Sequence, residues 1–142
     1  MKKGTILEAI YLESMAAEGK CVARVDGKVL FVNGGAPGDT VDVEVTKIKS
    51  NFLEGKAARL RKASEHRVEP VCSHFGFCGG CKWQHINYPT QLQYKQQQVI
   101  DNLQHLGGLH LPEINPIIPS SKTEFYRNRL DFTASGIRWL TH

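Results

Sequence analysis

The sequence predicts a mainly β protein with one helix: a five-stranded, OB-like barrel, then a cysteine loop leading into the helix, then the start of a second β domain. Three observations predict it. Between Gly4 and Leu60 short β-branched runs alternate with glycine turns, as in small antiparallel barrels. Cys72, Cys78 and Cys81 crowd into a short glycine-rich loop. From Pro89 to Leu106 apolar residues recur at helical spacing.

The expected strands are Thr5–Leu12, Cys21–Val25, Val29–Val32, Val41–Ile48 and Phe52–Leu60. Asp26-Gly27 is a strong hairpin signal, because the turn that matches strand twist needs positive φ at both central residues. Pro37-Gly38-Asp39 marks a second turn, with proline presetting φ and glycine relieving strain. Ala63 to Pro70 is polar and ends in proline, so it reads as a linker. In the helix, Leu92, Val99, Leu103 and Leu106 form a stripe that Ile100 widens, Pro89 suits the first turn, and Gly107-Gly108 is the stop. Leu111 to Pro119 contains Pro112, Pro116 and Pro119 and reads as extended linker. Glu124 to Ala134 reads as a strand opening a further domain at about Phe125, and the end of the chain at His142 leaves that domain short, as in a fragment. The expected division is 1–62, 63–110 and 111–142.

With 142 residues, 41% of them hydrophobic, the chain can bury a core. Its net charge of +4 is unevenly spread: between Lys47 and Arg67, seven Lys or Arg face Glu54 and Glu65. Lys47, Lys49, Lys56, Arg59, Arg61 and Lys62 are therefore the candidate polyanion-binding cations, with a solvated strand face as the competing reading. Phe31 and Phe52 are candidate stacking platforms, with core packing as the competing reading. No stretch has signal-peptide character, and none nears the roughly 18 apolar residues of a membrane span. A cytoplasmic monomer with no membrane partner is expected. Cysteines there stay reduced and serve metals or packing.

Cys72, Cys78 and Cys81 have the spacing C-x5-C-x2-C, and Gly79-Gly80 lets the backbone fold back between the last two. Soft thiolates select zinc or iron–sulfur clusters, both normally with four ligands. For zinc, His85 would complete a Cys3His set. For iron–sulfur, the fourth thiolate must come from elsewhere, since Cys21 sits in a barrel strand and reads as a small core residue.

The run from Cys72 to Gln84, followed by Tyr88, Gln91, Leu92 and Lys95, resembles the cysteine motif of the RNA 5-methyluridine (uracil-5) methyltransferases. The resemblance covers nearly the whole chain: a TRAM-like barrel at 1–62, the cysteine segment at 63–110, and a strand at Phe125–Thr133 like the opening of that family's central domain. It implies a [4Fe–4S] cluster held by Cys72, Cys78, Cys81 and a further cysteine downstream; none follows Cys81 here, so the ligand set in this chain is incomplete. It also implies an enzyme that moves a methyl group from S-adenosylmethionine to C5 of a uracil in ribosomal or transfer RNA. In that chemistry a cysteine attacks C6 and a carboxylate removes the C5 proton. Those groups belong to the family's C-terminal domain, and no Gly-rich cofactor loop occurs here, so this chain by itself is expected to bind RNA and to be inactive. The alternative is a stand-alone RNA-binding adaptor with a Cys3His zinc site; an electron-transfer module would need Cys21 to complete its cluster. Trp83 and His85 are expected to pack around the cysteines, and Arg127 and Arg129 to lie on a strand face, either solvated or in contact with RNA.

Overall fold

The structure, a computed structural model, describes residues 1–78, 80–126, 128–129 and 136. Six strands make one sheet: β1 (Ile6–Tyr11), β2 (Ser14–Met15), β3 (Cys21–Val25), β4 (Lys28–Asn33), β5 (Thr40–Ile48) and β6 (Phe52–Lys62), in the order β1-β5-β6-β4-β3-β2. The two outermost members, β1 and β2, are consecutive in the chain. Only Leu12 and Glu13 separate them, and the Leu12 and Glu13 amides bond Asp39 and Val22 carbonyls. A single bent strand thus pairs with β5 by its first half and β3 by its second, closing the sheet into a barrel. The five expected strands are all present; the sixth is the second half of the first. A two-residue strand has no alternation to betray it.

One seam of the OB-like barrel is parallel: β4 and β6 run side by side in the same direction, Leu30 beside Leu53 and Val32 beside Gly55. The chain leaves β4, forms β5 on the far side of β6, and returns antiparallel to β5, so its return leg must share the direction of β4. Alternation then sorts the side chains. Leu30, Val32, Val41, Val43, Val45, Leu53 and Cys21 are fully or almost fully buried. The Asp26-Gly27 turn has φ of 49 and 75, as its hairpin requires.

The segment expected to be a linker is instead tied down. Val68 donates to the His85 carbonyl, Asn87 donates to that of His66, and Arg67 pairs with Ile86. Helix α1 (Tyr88–Asp101) starts at an N-cap, Asn87, whose side chain accepts from the Thr90 amide at 3.0 Å; a π-helical turn, Asn102–Leu106, continues it. Its contacts differ from the expected stripe. Val99, Leu103 and Leu106 are exposed, while Tyr94 packs on the core and the Gln91 amide donates to the Trp83 and Ile86 carbonyls. Among the described residues no helix is long and apolar enough to cross a membrane. Phe125, Tyr126, Asn128 and Arg129 belong to no strand; Arg127 and the remainder of the strand expected there lie outside the described residues.

Candidate nucleic-acid interface and cysteine loop

Five of the six predicted cations lie on one strand or its hairpin partner: Lys56, Arg59, Arg61 and Lys62 on β6, and Lys47 on β5; the sixth, Lys49, is in the turn between them. All six are exposed, but they are not equivalent. Lys47 closes on Glu54 at 3.2 Å, and Lys20 reaches the same carboxylate at 3.7 Å. Arg61 sits where the β5–β6 register shifts, opposite neither Thr40 nor Val41. There its Nε donates to Asp42 and its Nη2 to Glu8 at 2.8 Å. Asp42 in turn accepts from the amide of Ala9 at 3.0 Å. Ala9 lies at the β1 register shift with φ of 52, a conformation uncommon for a residue with a Cβ. The Arg61 hydrogen bond and the Ala9 amide hold the Asp42 carboxyl below its ordinary pKa. Arg61 is thereby a brace for a bulge. Lys49, Lys56, Arg59 and Lys62 have no ion-pair partner within 4 Å among the described residues, so they are the cations left for a polyanion.

Phe31 and Phe52 are not core residues. Each is half-buried, Phe31 between the fully buried Leu30 and Val32 and Phe52 just before the buried Leu53, and the two rings meet edge to face with centroids 5.8 Å apart.

A buried carboxylate fastens the cysteine segment to the barrel. Asp39, 0% exposed, accepts from the amides of Ala36 at 2.6 Å and Ser64 at 2.9 Å and takes both Nε and Nη2 of Arg67, the latter at 2.7 Å. Burial works to raise its pKa, but the Arg67 bonds and the two amides outweigh it, and the carboxyl is held below its usual range. Sequence reading saw Asp39 only as a turn residue. Nearby, Gly19 abuts Lys82 and Trp83 so closely that any Cβ would overlap them.

Cys72, Cys78 and Cys81 are all exposed. Gln84, which spacing alone did not single out, bridges two of them: its Oε1 accepts from the Cys72 amide at 2.8 Å, and its Nε2 faces Cys81 Sγ at 3.8 Å. Among the described residues no three His, Cys, Asp or Glu side chains stand close enough together to hold a metal ion. The donor type suits an iron–sulfur cluster, while the number of thiols falls one short. His85, the zinc candidate, is turned toward the barrel. Its Nε2 donates to the Gly35 carbonyl at 2.8 Å, its ring lies 5.1 Å from that of Phe75, and Nδ1 is buried without a partner. Burial, more than its charged neighbours, lowers its pKa, so the ring is neutral. Cys21 is in the core, and burial with the nearby Asp39 charge pushes its thiol up to about 12; it is a packed thiol unsuited to ligation.

Residues 3–58 match the TRAM domain model. The chain is 51% identical over 128 residues to an uncharacterized RNA methyltransferase of Bacteroides thetaiotaomicron, covering 90% of this chain and 28% of that protein. It is 37% identical over 142 residues to the 23S rRNA (uracil(1939)-C(5))-methyltransferase RlmD of Francisella tularensis subsp. novicida, covering 99% of this chain and 30% of that one. The chain thus spans under a third of the length of these relatives. Among solved structures, the tRNA (uracil-54, C5)-methyltransferase of Pyrococcus abyssi in complex with S-adenosyl-L-homocysteine aligns at 24% identity with a TM-score of 0.43, over 80% of this chain and 24% of that one.

Proposed function

Because this chain carries a TRAM domain and is homologous to proteins named RNA methyltransferase, we propose that it is the RNA-binding part of a cytoplasmic, S-adenosylmethionine-dependent uracil-5 methyltransferase acting on ribosomal or transfer RNA. The observation that supports this most is that the likeness runs through the barrel and the cysteine loop alike, and not through the barrel alone. In this reading Cys72, Cys78 and Cys81 contribute three ligands to a [4Fe–4S] cluster, with Gln84 orienting Cys72 and Cys81 as an outer partner. The cluster's fourth ligand, the cofactor site and the reacting groups lie beyond these residues. Lys49, Lys56, Arg59 and Lys62 take RNA phosphates, positioning the strand without reading its sequence.

Two measurements test the reading. RNA from cells lacking the gene should be missing one 5-methyluridine in a mass-spectrometric digest; unchanged 5-methyluridine content would refute it. The 142-residue chain should bind single-stranded RNA with log affinity falling against log salt at a slope of about −2 to −3, as expected when three or four cations release counterions. Replacing Lys56, Arg59 and Lys62 with alanine should flatten that slope by about 2. An unaltered slope would reduce the basic run to a solvated face.

A further inference from the structure

We propose that Phe31 and Phe52 form a stacking site for unpaired RNA bases on the outer wall of the barrel. This rests on the RNA-binding reading above and adds to it the surface that holds bases, where the lysines and arginines hold only phosphates.

Both rings face outward. Phe31 lies between Leu30 and Val32, each 0% exposed, and Phe52 precedes Leu53 at 2%, so strand alternation puts the aromatic rings on the opposite side of the sheet from the core. Neither ring joins the core cluster or packs against it. They come together because β4 and β6 run parallel with Val29 beside Phe52 and Phe31 beside Glu54, one step apart on adjacent strands. A solvated barrel wall has no need of two adjoining aromatic rings.

The charge around them is complementary to a nucleic-acid backbone. The Lys49 amide donates to the Phe52 carbonyl at 2.9 Å, so a cation with no ion-pair partner among the described residues stands opposite Phe52 across the β5–β6 turn. Lys56 follows on the outward side of β6, beside Asn33. Of the acids on this face, Glu54 is already met by Lys47 and Lys20, while Glu44 stands opposite Lys56. Aromatic faces flanked by cations are how sequence-tolerant single-strand binding surfaces are made, because every base has a π face. The ligand is therefore unpaired RNA with little preference for base identity.

The test compares two probes with the 142-residue chain: a ten-residue oligouridylate, and an oligonucleotide of the same length and charge whose residues are abasic. The unaltered chain should bind the oligouridylate roughly tenfold or more tighter. In Phe31→Leu/Phe52→Leu, which keeps apolar side chains on the wall but removes the rings, both probes should bind alike, with the weak abasic affinity and its salt dependence retained. Thermal unfolding checks that the variant folds; if it does not, the two single leucine variants replace it, and the comparison on the unaltered chain stands without any variant. Equal affinity of the unaltered chain for both probes would overturn the stacking site while leaving phosphate binding intact. A base preference that survives the leucine variants would also overturn it. Failure of both probes to bind at low salt would instead overturn the RNA-binding reading, and the stacking site with it.

Discussion

Replacing Asp39 with asparagine should be the most damaging isosteric change in this chain. The side chain keeps its size, but one of its oxygens becomes a nitrogen that cannot accept. As built, the carboxylate takes four N–H groups: those of Ala36 and Ser64 and two from Arg67. The asparagine amide would turn a donor toward at least one of these donors and leave the Arg67 guanidinium facing a neutral group. Breaking a buried pair by removing one partner costs about 3–5 kcal/mol. Asp39 is fully buried, but the Arg67 side chain is 26% exposed and recovers some hydration, so the loss should fall near the lower end, about 3 kcal/mol. Urea unfolding at neutral pH, followed by far-ultraviolet circular dichroism, measures it. Limited proteolysis should find new cuts between Ser64 and Val68, the stretch that Asp39 fastens. The pH dependence has a definite sign: a carboxyl held below its ordinary value of 3.8 contributes stability present above that value and lost as pH falls through the folded one. Asp39→Asn should abolish that acid-sensitive component. A loss under about 1 kcal/mol, as for an ordinary hydrogen bond, with unchanged proteolysis, would refute the claim that this carboxylate joins cysteine segment to barrel.

Arg61→Ala should lower the melting temperature, because it frees Asp42 and the β1 bulge at Ala9, yet leave RNA affinity within about twofold and its salt slope unchanged; filter binding and thermal unfolding separate the two effects. His85, kept neutral by burial, should make folding weaker as pH drops below 6.5, since the unfolded chain then binds a proton that the folded one resists; His85→Gln should flatten the urea midpoint between pH 6.5 and 5. Gly55→Ala should cost about 1–3 kcal/mol, because the added Cβ would overlap Val43 and come within 2.9 Å of the Glu44 carbonyl. Purified without oxygen, the 142-residue chain should hold iron well below one cluster per molecule, since it supplies three thiols; stoichiometric zinc lost in His85→Ala would contradict this and favour the adaptor.

The strands were readable because β-branched alternation and the Asp26-Gly27 turn are local signals. The loop that carries Cys72, Cys78 and Cys81 is legible from its glycines, a signal equally local. What escaped was non-local. Nothing near Arg61 in sequence says that Asp42 and Glu8, on other strands, take its charge, so in sequence it looks the same as the cations with no ion-pair partner among the described residues. The Ala63–Pro70 stretch reads as polar linker because the partner that orders it, Asp39, is far away in the chain and hidden in a turn motif. Phe31 and Phe52 alternate as outward residues, but their adjacency depends on the parallel β4–β6 pairing, which no local pattern encodes. The helical stripe at Val99, Leu103 and Leu106 has the right period and yet is exposed, since periodicity reports an apolar face without naming what covers it.

The bend at Leu12–Glu13 has a consequence for association. Exposed sheet borders recruit other chains, and closure is the one arrangement that removes them altogether. Here a single segment, Ile6 to Met15, covers the open flanks of both β5 and β3. Were it trimmed away or displaced, two unsatisfied ladders would be uncovered at once, on strands as apolar as Val41, Val43 and Val45 make β5. The first fifteen residues are thus what keeps this barrel from templating its own aggregation.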